Sequence, residues 1–194
     1  MSKIEKKHFE AADAMTEVFA TRLGKNRAVH SETAIVAAAR MAGTMLFRSF
    51  NFDTSKMPPG AVVLSEEANE KGPELVNIVI TMLHEYGLHP DKDKLWNAGE
   101  RGEPPRMTLL ETQALLDAEL AKVRQEHHLN LEEGAHACAL TTAWLIRECA
   151  PQIGLEVGLK IAGGGFIEGA KTVPRSEAMG EARNAKPWWH RFWR

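Results

Sequence analysis

Two spacings of glutamate and histidine have the form of metal-ligand pairs. Glu133-x-x-His136 and Glu5-x-x-His8 match the E-x-x-H signature of di-iron carboxylate bundles, which sets a carboxylate and an imidazole on one helix face. Such a centre needs two of these motifs and two further inward glutamates. A copy shifted by about a hundred residues would start at Glu32, but Ile35 stands where its histidine should be. Glu5 and Glu133 also each follow a capping residue by three positions (Ser2 and Asn130), so a capping box already explains them. His84-Glu85-x-x-x-His89 has one residue too many for H-E-x-x-H, and Gly87 falls between its histidines. The expectation is no bound metal and no cofactor.

Other reaction chemistries find less. Gly164-Gly165-Phe166-Ile167-Glu168-Gly169-Ala170-Lys171-Thr172 approaches a phosphate loop, but Ala170 separates the last glycine from the lysine that must reach the phosphates. The segment before it does not read as a strand. No serine lies in G-x-S-x-G. Cys138 and Cys149 have apolar neighbours, which keep a thiol protonated and inert. His136 lies two residues from Cys138, and such pairs diverge on a helix. No catalytic residue is assigned, and the sequence leans away from an enzyme. Arg40, Arg48 and Arg147 lie in or at the end of apolar helices and call for carboxylate partners, with Glu148, Glu67 or Glu168 as candidates. The alternative, an enzyme or carrier with a small-molecule or metal site between two helical halves, would use Glu32, Arg40, Glu133 and His136.

The most concentrated feature is the C-terminal segment Lys186-Pro187-Trp188-Trp189-His190-Arg191-Phe192-Trp193-Arg194. As a helix it would carry Trp188, Trp189, Phe192 and Trp193 on one face, with Arg191 and Arg194 beside them. Burying each of these rings is worth roughly 1.5–3 kcal/mol, so the segment is expected to dock. The leading destination is protein: its own domain, a second copy in a homodimer, or another chain. A membrane interface is a minor alternative, and so is stacking on single-stranded nucleic acid.

These residues need a scaffold, and the 194 residues supply one. Hydrophobic residues make up 44% of the chain, enough for one core. The 24 basic and 26 acidic residues disfavour a nucleic-acid binder. The charge is uneven: the last twelve residues hold Arg183, Lys186, Arg191 and Arg194 and no acid, on an otherwise acidic body. No apolar run reaches the roughly 20 residues of a membrane span, and the start MSKIEKKHFEAADA lacks the apolar block of a signal peptide. The two cysteines, eleven positions apart on one expected helix, stand about 16 Å apart and cannot pair. A cytoplasmic protein is expected.

Helical periodicity runs almost throughout. Ser2 and Glu5 open a first helix that Gly24 closes, and Ser31 caps a second that runs to about Phe50. Asn51 to Gly60 reads as a loop. Ser65 caps a short helix to Lys71, and Pro73 starts another that ends at Gly87. Residues 88–106 read as a linker. Thr108 with Glu111, and Asn130 with Glu133, cap the next two helices, the second reaching Cys149. Pro151 opens a last long helix, ending at glycines 163–165 or continuing to Lys171. A short helix is expected over Ser176–Asn184.

The expected fold class is therefore all-α, a bundle of about six or seven helices over residues 1–180 followed by a tail at 181–194. Two three-helix halves, 1–87 and 107–174, are suggested by the pairs Glu10/Glu111, Glu32/Glu133, Ala34/Ala135, Ala38/Ala139, Ala42/Ala143, Glu67/Glu168 and Pro73/Pro174. Small residues recur every fourth position at Ala34, Ala38 and Ala42, and again at Ala135, Ala139 and Ala143. Gly154, Gly158, Ala162, Gly165 and Gly169 form a third stripe, which either packs on a helix or faces a ligand. The expected function is a non-enzymatic protein-interaction or self-association module with the aromatic tail as its docking element.

Overall fold

The computed structural model describes residues 4–24, 29–97 and 103–176. Seven helices account for most of them: α1 (Lys6–Leu23), α2 (Ser31–Ser49), α3 (Glu66–Glu85), α4 (Lys92–Asn97), α5 (Leu109–Glu126), α6 (Leu131–Ile153) and α7 (Leu155–Ala170). The fold is all-α, with no strand among the described residues. One isolated bridge, Val62 to Thr172, ties the loop after α2 to the end of α7.

Local chemistry sets most helix ends. Thr108 and Asn130 each accept from the backbone of a glutamate three residues on, and that glutamate returns the bond to the cap's own N–H. Ser65 caps α3. Four boundaries differ from expectation. α1 starts at Lys6, with Glu5 at its N-cap, and the His8 ring accepts from the Glu5 N–H at 3.0 Å. α2 is capped by His30, with Ser31 already helical. Neither internal proline starts a new helix. Pro73 lies within α3, on an exposed face where the carbonyl it leaves without an N–H partner meets water. Pro151 falls in the last turn of α6, which Gly154 ends with φ +90°. The expected helix over Ser176–Asn184 falls almost wholly outside the described residues.

α2 is buried at every position from Ser31 to Phe47, so it forms the centre of the bundle. It packs mainly on α7 and α6, while α1 and α3 pack on α6. Ala38, Ala42, Ala135, Ala139 and Ala143 are wholly buried. The glycine stripe packs against helices at Gly158, Gly165 and Gly169, while Gly154 at its start has open space beside it. A methyl group on Gly43 would lie 2.5 Å from the Phe166 carbonyl oxygen, and one on Gly165 would lie 2.8 Å from the Ala39 side chain. Gly169 faces the Arg40 carbonyl and Gly158 the Ile146 side chain. Backbone therefore rests on backbone where α2 crosses α7, with no room there for a ligand.

The main helix pairs join the two halves of the chain, so the halves interleave. Shifted by about a hundred residues, the starts of α1 and α2 fall near those of α5 and α6, whereas α3 and α7 fall out of step. Glu67 is in the first turn of α3, but Glu168 is in the last turn of α7.

Polar bonds lock the periphery to this centre. Gln113 of α5 is fully buried; it donates to the Thr44 hydroxyl at 3.0 Å and accepts from the Arg175 N–H at 3.0 Å. Arg48 grips Asp117 with two bonds of 2.8 Å. The expected linker is part of the packing: it contains α4, and its far end is fastened to α2 through Glu32, Thr33 and Arg40.

Candidate functional site

Three of the four sequence-selected pocket residues have structural partners. Glu32 accepts from the Glu103 N–H at 3.1 Å. Arg40 donates to Glu168 at 2.7 Å and to the Met107 carbonyl at 2.6 Å. Glu133 completes the α6 capping box and pairs with Lys7 at 2.5 Å. The lysine and the Asn130 N–H hold its carboxyl below the usual range. Glu32 and Arg40 thus serve the 103–107 segment and α7, whereas Glu133 and His136 face α1 and α3. No common pocket joins the four.

His136 differs from the other three. It is 2% exposed, and its Nδ1 is buried with no hydrogen-bond partner among the described residues. Its Nε2 faces a carboxylate oxygen of Glu74 on α3 at 4.0 Å, beyond hydrogen-bond reach. One ligand atom each from Glu74, Glu132 and His136 lie within 4.8 Å of one another. The His8 ring is 6.2 Å away, centroid to centroid. The neighbour of His136 at i−4, Glu132, is therefore the carboxylate that shares its site, and Glu133 at i−3 is not.

Burial lowers the His136 pKa, outweighing Glu74, Glu132 and Glu133, which raise it; His8 acts with burial. The sign for stability follows. The unfolded chain takes up a proton near the ordinary value of 6.5 and the folded chain does not, so this contribution is complete above 6.5 and is lost as pH falls below it. The urea midpoint, measured with a chelator present, is expected to drop between about pH 7.5 and about pH 5.5. A His136→Gln variant should show a flatter profile over that window, in which Glu133 stays ionised.

The remaining sequence candidates resolve as follows. Arg147 is half-exposed, pairs with Glu148 at 3.1 Å and stacks over Tyr86 at 4.7 Å, so it is not a buried arginine. Arg48 takes Asp117 as its partner, a residue outside the expected set. The turn at Gly87, with φ +75°, folds the chain back and brings the His84 and His89 rings to 5.0 Å, although their spacing had separated them on a straight helix. Cys138 is fully buried and its thiol pKa is pushed up to about 12; Cys149 is also raised by burial. Trp188, Trp189, Arg191, Phe192, Trp193 and Arg194 lie outside the described residues.

An extended groove runs across the surface of the described residues. α1 and α3 both pack on α6 and leave a trough between them. Its larger part is a cavity of about 330 Å³ walled by Phe9, Asp13, Thr16 and Glu17 of α1 and by Met82 and Tyr86, with Leu140, Thr141 and Trp144 as the floor. A second cavity of about 220 Å³ continues past Phe9, Met82 and Leu140 to Ile4, Asn77 and Glu74. Phe9 is 41% exposed and Trp144 36%, large fractions for such rings. Among the described residues the combined lining holds three carboxylates (Asp13, Glu17 and Glu74) and no lysine or arginine. No helix among the described residues is long and apolar enough to cross a membrane.

No protein-family model matches the chain, and neither a curated protein nor a solved structure matches it.

Proposed function

We propose that the protein is a non-enzymatic interaction module whose groove between α1 and α3 takes a short basic aromatic segment, and that Lys186–Arg194 of the same chain is that segment. The observation that carries this reading is the chemistry of the groove: exposed rings and three carboxylates, with no basic residue among the described lining. The tail is its complement, with three tryptophans, a phenylalanine and four basic residues in the last nine positions when Lys186, His190, Arg191 and Arg194 are counted. Helices laid in such troughs are a common recognition mode.

Reach supports the same chain as donor. Nine residues separate Ser176 from Lys186, and the ten steps between them span up to about 35 Å when extended, comparable to the diameter of a body this size. A tether of that length gives a local concentration on the order of 1 mM, which favours a chain's own groove over a neighbour's in dilute solution. Free thiols at Cys138 and Cys149 agree with a reducing, cytoplasmic setting.

A chain ending at residue 185 should bind a peptide of residues 186–194 with Kd of about 10–100 μM, measured by fluorescence anisotropy. Asp13→Lys with Glu17→Lys should weaken binding about tenfold or more, and added salt should weaken it further. A peptide that ignores this chain but partitions onto anionic vesicles or oligonucleotide would contradict the reading.

A further inference from the structure

We infer that Glu74, Glu132 and His136 form a binding site for one divalent transition-metal ion at the junction of α3 with the start of α6. The site stands apart from the docking reading: it shares only Glu74 with the groove, and Glu132 and His136 line neither cavity.

Two independent observations converge on it. The first is the donor set, in which two carboxylates and an imidazole bring ligand atoms within 4.8 Å of one another. Ligands on a shared ion at about 2.0–2.2 Å lie about 3–4 Å apart, so closure needs only small side-chain movements. The second is His136 itself. Its ring is almost fully buried, lacks a hydrogen bond at Nδ1, and aims Nε2 at Glu74 from 4.0 Å. A buried imidazole normally has its polar atoms satisfied. An ion between Nε2 and the two carboxylates would give that nitrogen a ligand bond in place of the 4.0 Å gap, while Nδ1 stays unpaired on the other edge of the ring.

The chemistry of the set indicates the ion. One nitrogen with two oxygens suits Zn²⁺, Mn²⁺, Fe²⁺ or Co²⁺, and three protein ligands leave a position for water. Two features oppose the ion. Lys71 pairs with Glu132 at 2.8 Å, and the positive end of α6 lies alongside. The lysine side chain is 44% exposed and can move into solvent, leaving its carboxylate to the metal. These opposing charges place the expected affinity in roughly the micromolar range.

The test is titration of the chelator-treated full chain with Zn²⁺ by calorimetry. One equivalent should bind. Glu74→Gln and Glu132→Gln should each weaken it by about tenfold or more. Both are isosteric changes at partly exposed side chains, and circular dichroism checks that the variants fold. Lys71→Gln should tighten binding several-fold, roughly, since it removes the competing ammonium. A purely structural role for the cluster would not produce that gain. His84→Asn with His89→Asn should leave binding unchanged. The inference is overturned if no saturable binding is seen up to about 100 μM Zn²⁺. It is equally overturned if Glu74→Gln and Glu132→Gln leave binding intact, or if loss of the His84/His89 pair abolishes it.

Discussion

Gly169→Ala should destabilise the protein by about 3 kcal/mol or more, the largest effect expected from adding one methyl group anywhere in the described chain. The added carbon would meet the Arg40 carbonyl and would lie 2.9 Å from the Thr44 nitrogen and 3.0 Å from the Gly43 Cα. All three are backbone atoms of α2, so no side chain can rotate away and the two helices must separate. Separation would loosen Gly43 against Phe166 and Gly165 against Ala39 together. Alanine's better helix propensity returns only about 1 kcal/mol. Gly164→Ala is the control. Gly164 lies five residues earlier on α7 with no atom within 4 Å of the added carbon, so propensity acts alone and stability should rise by about 0.5–1 kcal/mol. Urea denaturation of the pair measures both signs. A destabilised Gly164→Ala, or a neutral Gly169→Ala, would mean that α7 does not lie on α2 at this distance.

Arg40→Ala should cost about 2–3 kcal/mol. Arg40 is 8% exposed, and its guanidinium joins three elements: α2, which carries it; Glu168 at the end of α7; and the Met107 carbonyl ahead of α5. Truncation would leave that carbonyl without its donor and a carboxylate without its cation. Glu168 is 39% exposed on its side chain and can be rehydrated, which holds the figure below that of a fully buried pair. Arg40→Lys should recover only part of the loss, because one ammonium cannot reproduce two bonds made from different edges of a guanidinium. By contrast, Arg22 pairs with Glu119 on an exposed surface, and Arg22→Ala should cost under about 1 kcal/mol. Thermal melts of the three variants give the ranking.

What could be read from the sequence was local. The capping boxes at Thr108/Glu111 and Asn130/Glu133 form as expected because both partners lie within one turn. The small-residue stripes were visible as spacing, and close packing of α2 with α6 and α7 follows from them. Pro73 and Pro151 were read as helix starts; tertiary packing of α3 and α6 carries each helix through its proline instead. Partners distant in sequence were not legible. Asp117 for Arg48, and Glu74 for His136, depend on how α5 and α3 dock, which periodicity does not specify. Glu132 has a usable signal, its i,i+4 spacing to His136, whereas Glu133 in the E-x-x-H match is held by the helix cap and Lys7. The His84–His89 contact depends on the left-handed turn at Gly87, which spacing along a straight helix cannot anticipate.

The docking of Lys186–Arg194 in the α1–α3 groove is tested most directly by limited trypsin digestion of the full chain, following cleavage after Arg191. With a local concentration on the order of 1 mM and Kd of about 10–100 μM, the tail is bound roughly nine-tenths of the time or more. Cleavage should then be about five- to tenfold slower than in a chain carrying Asp13→Lys and Glu17→Lys, because the protease acts on the released fraction. Equal rates in the two chains would contradict the proposed function.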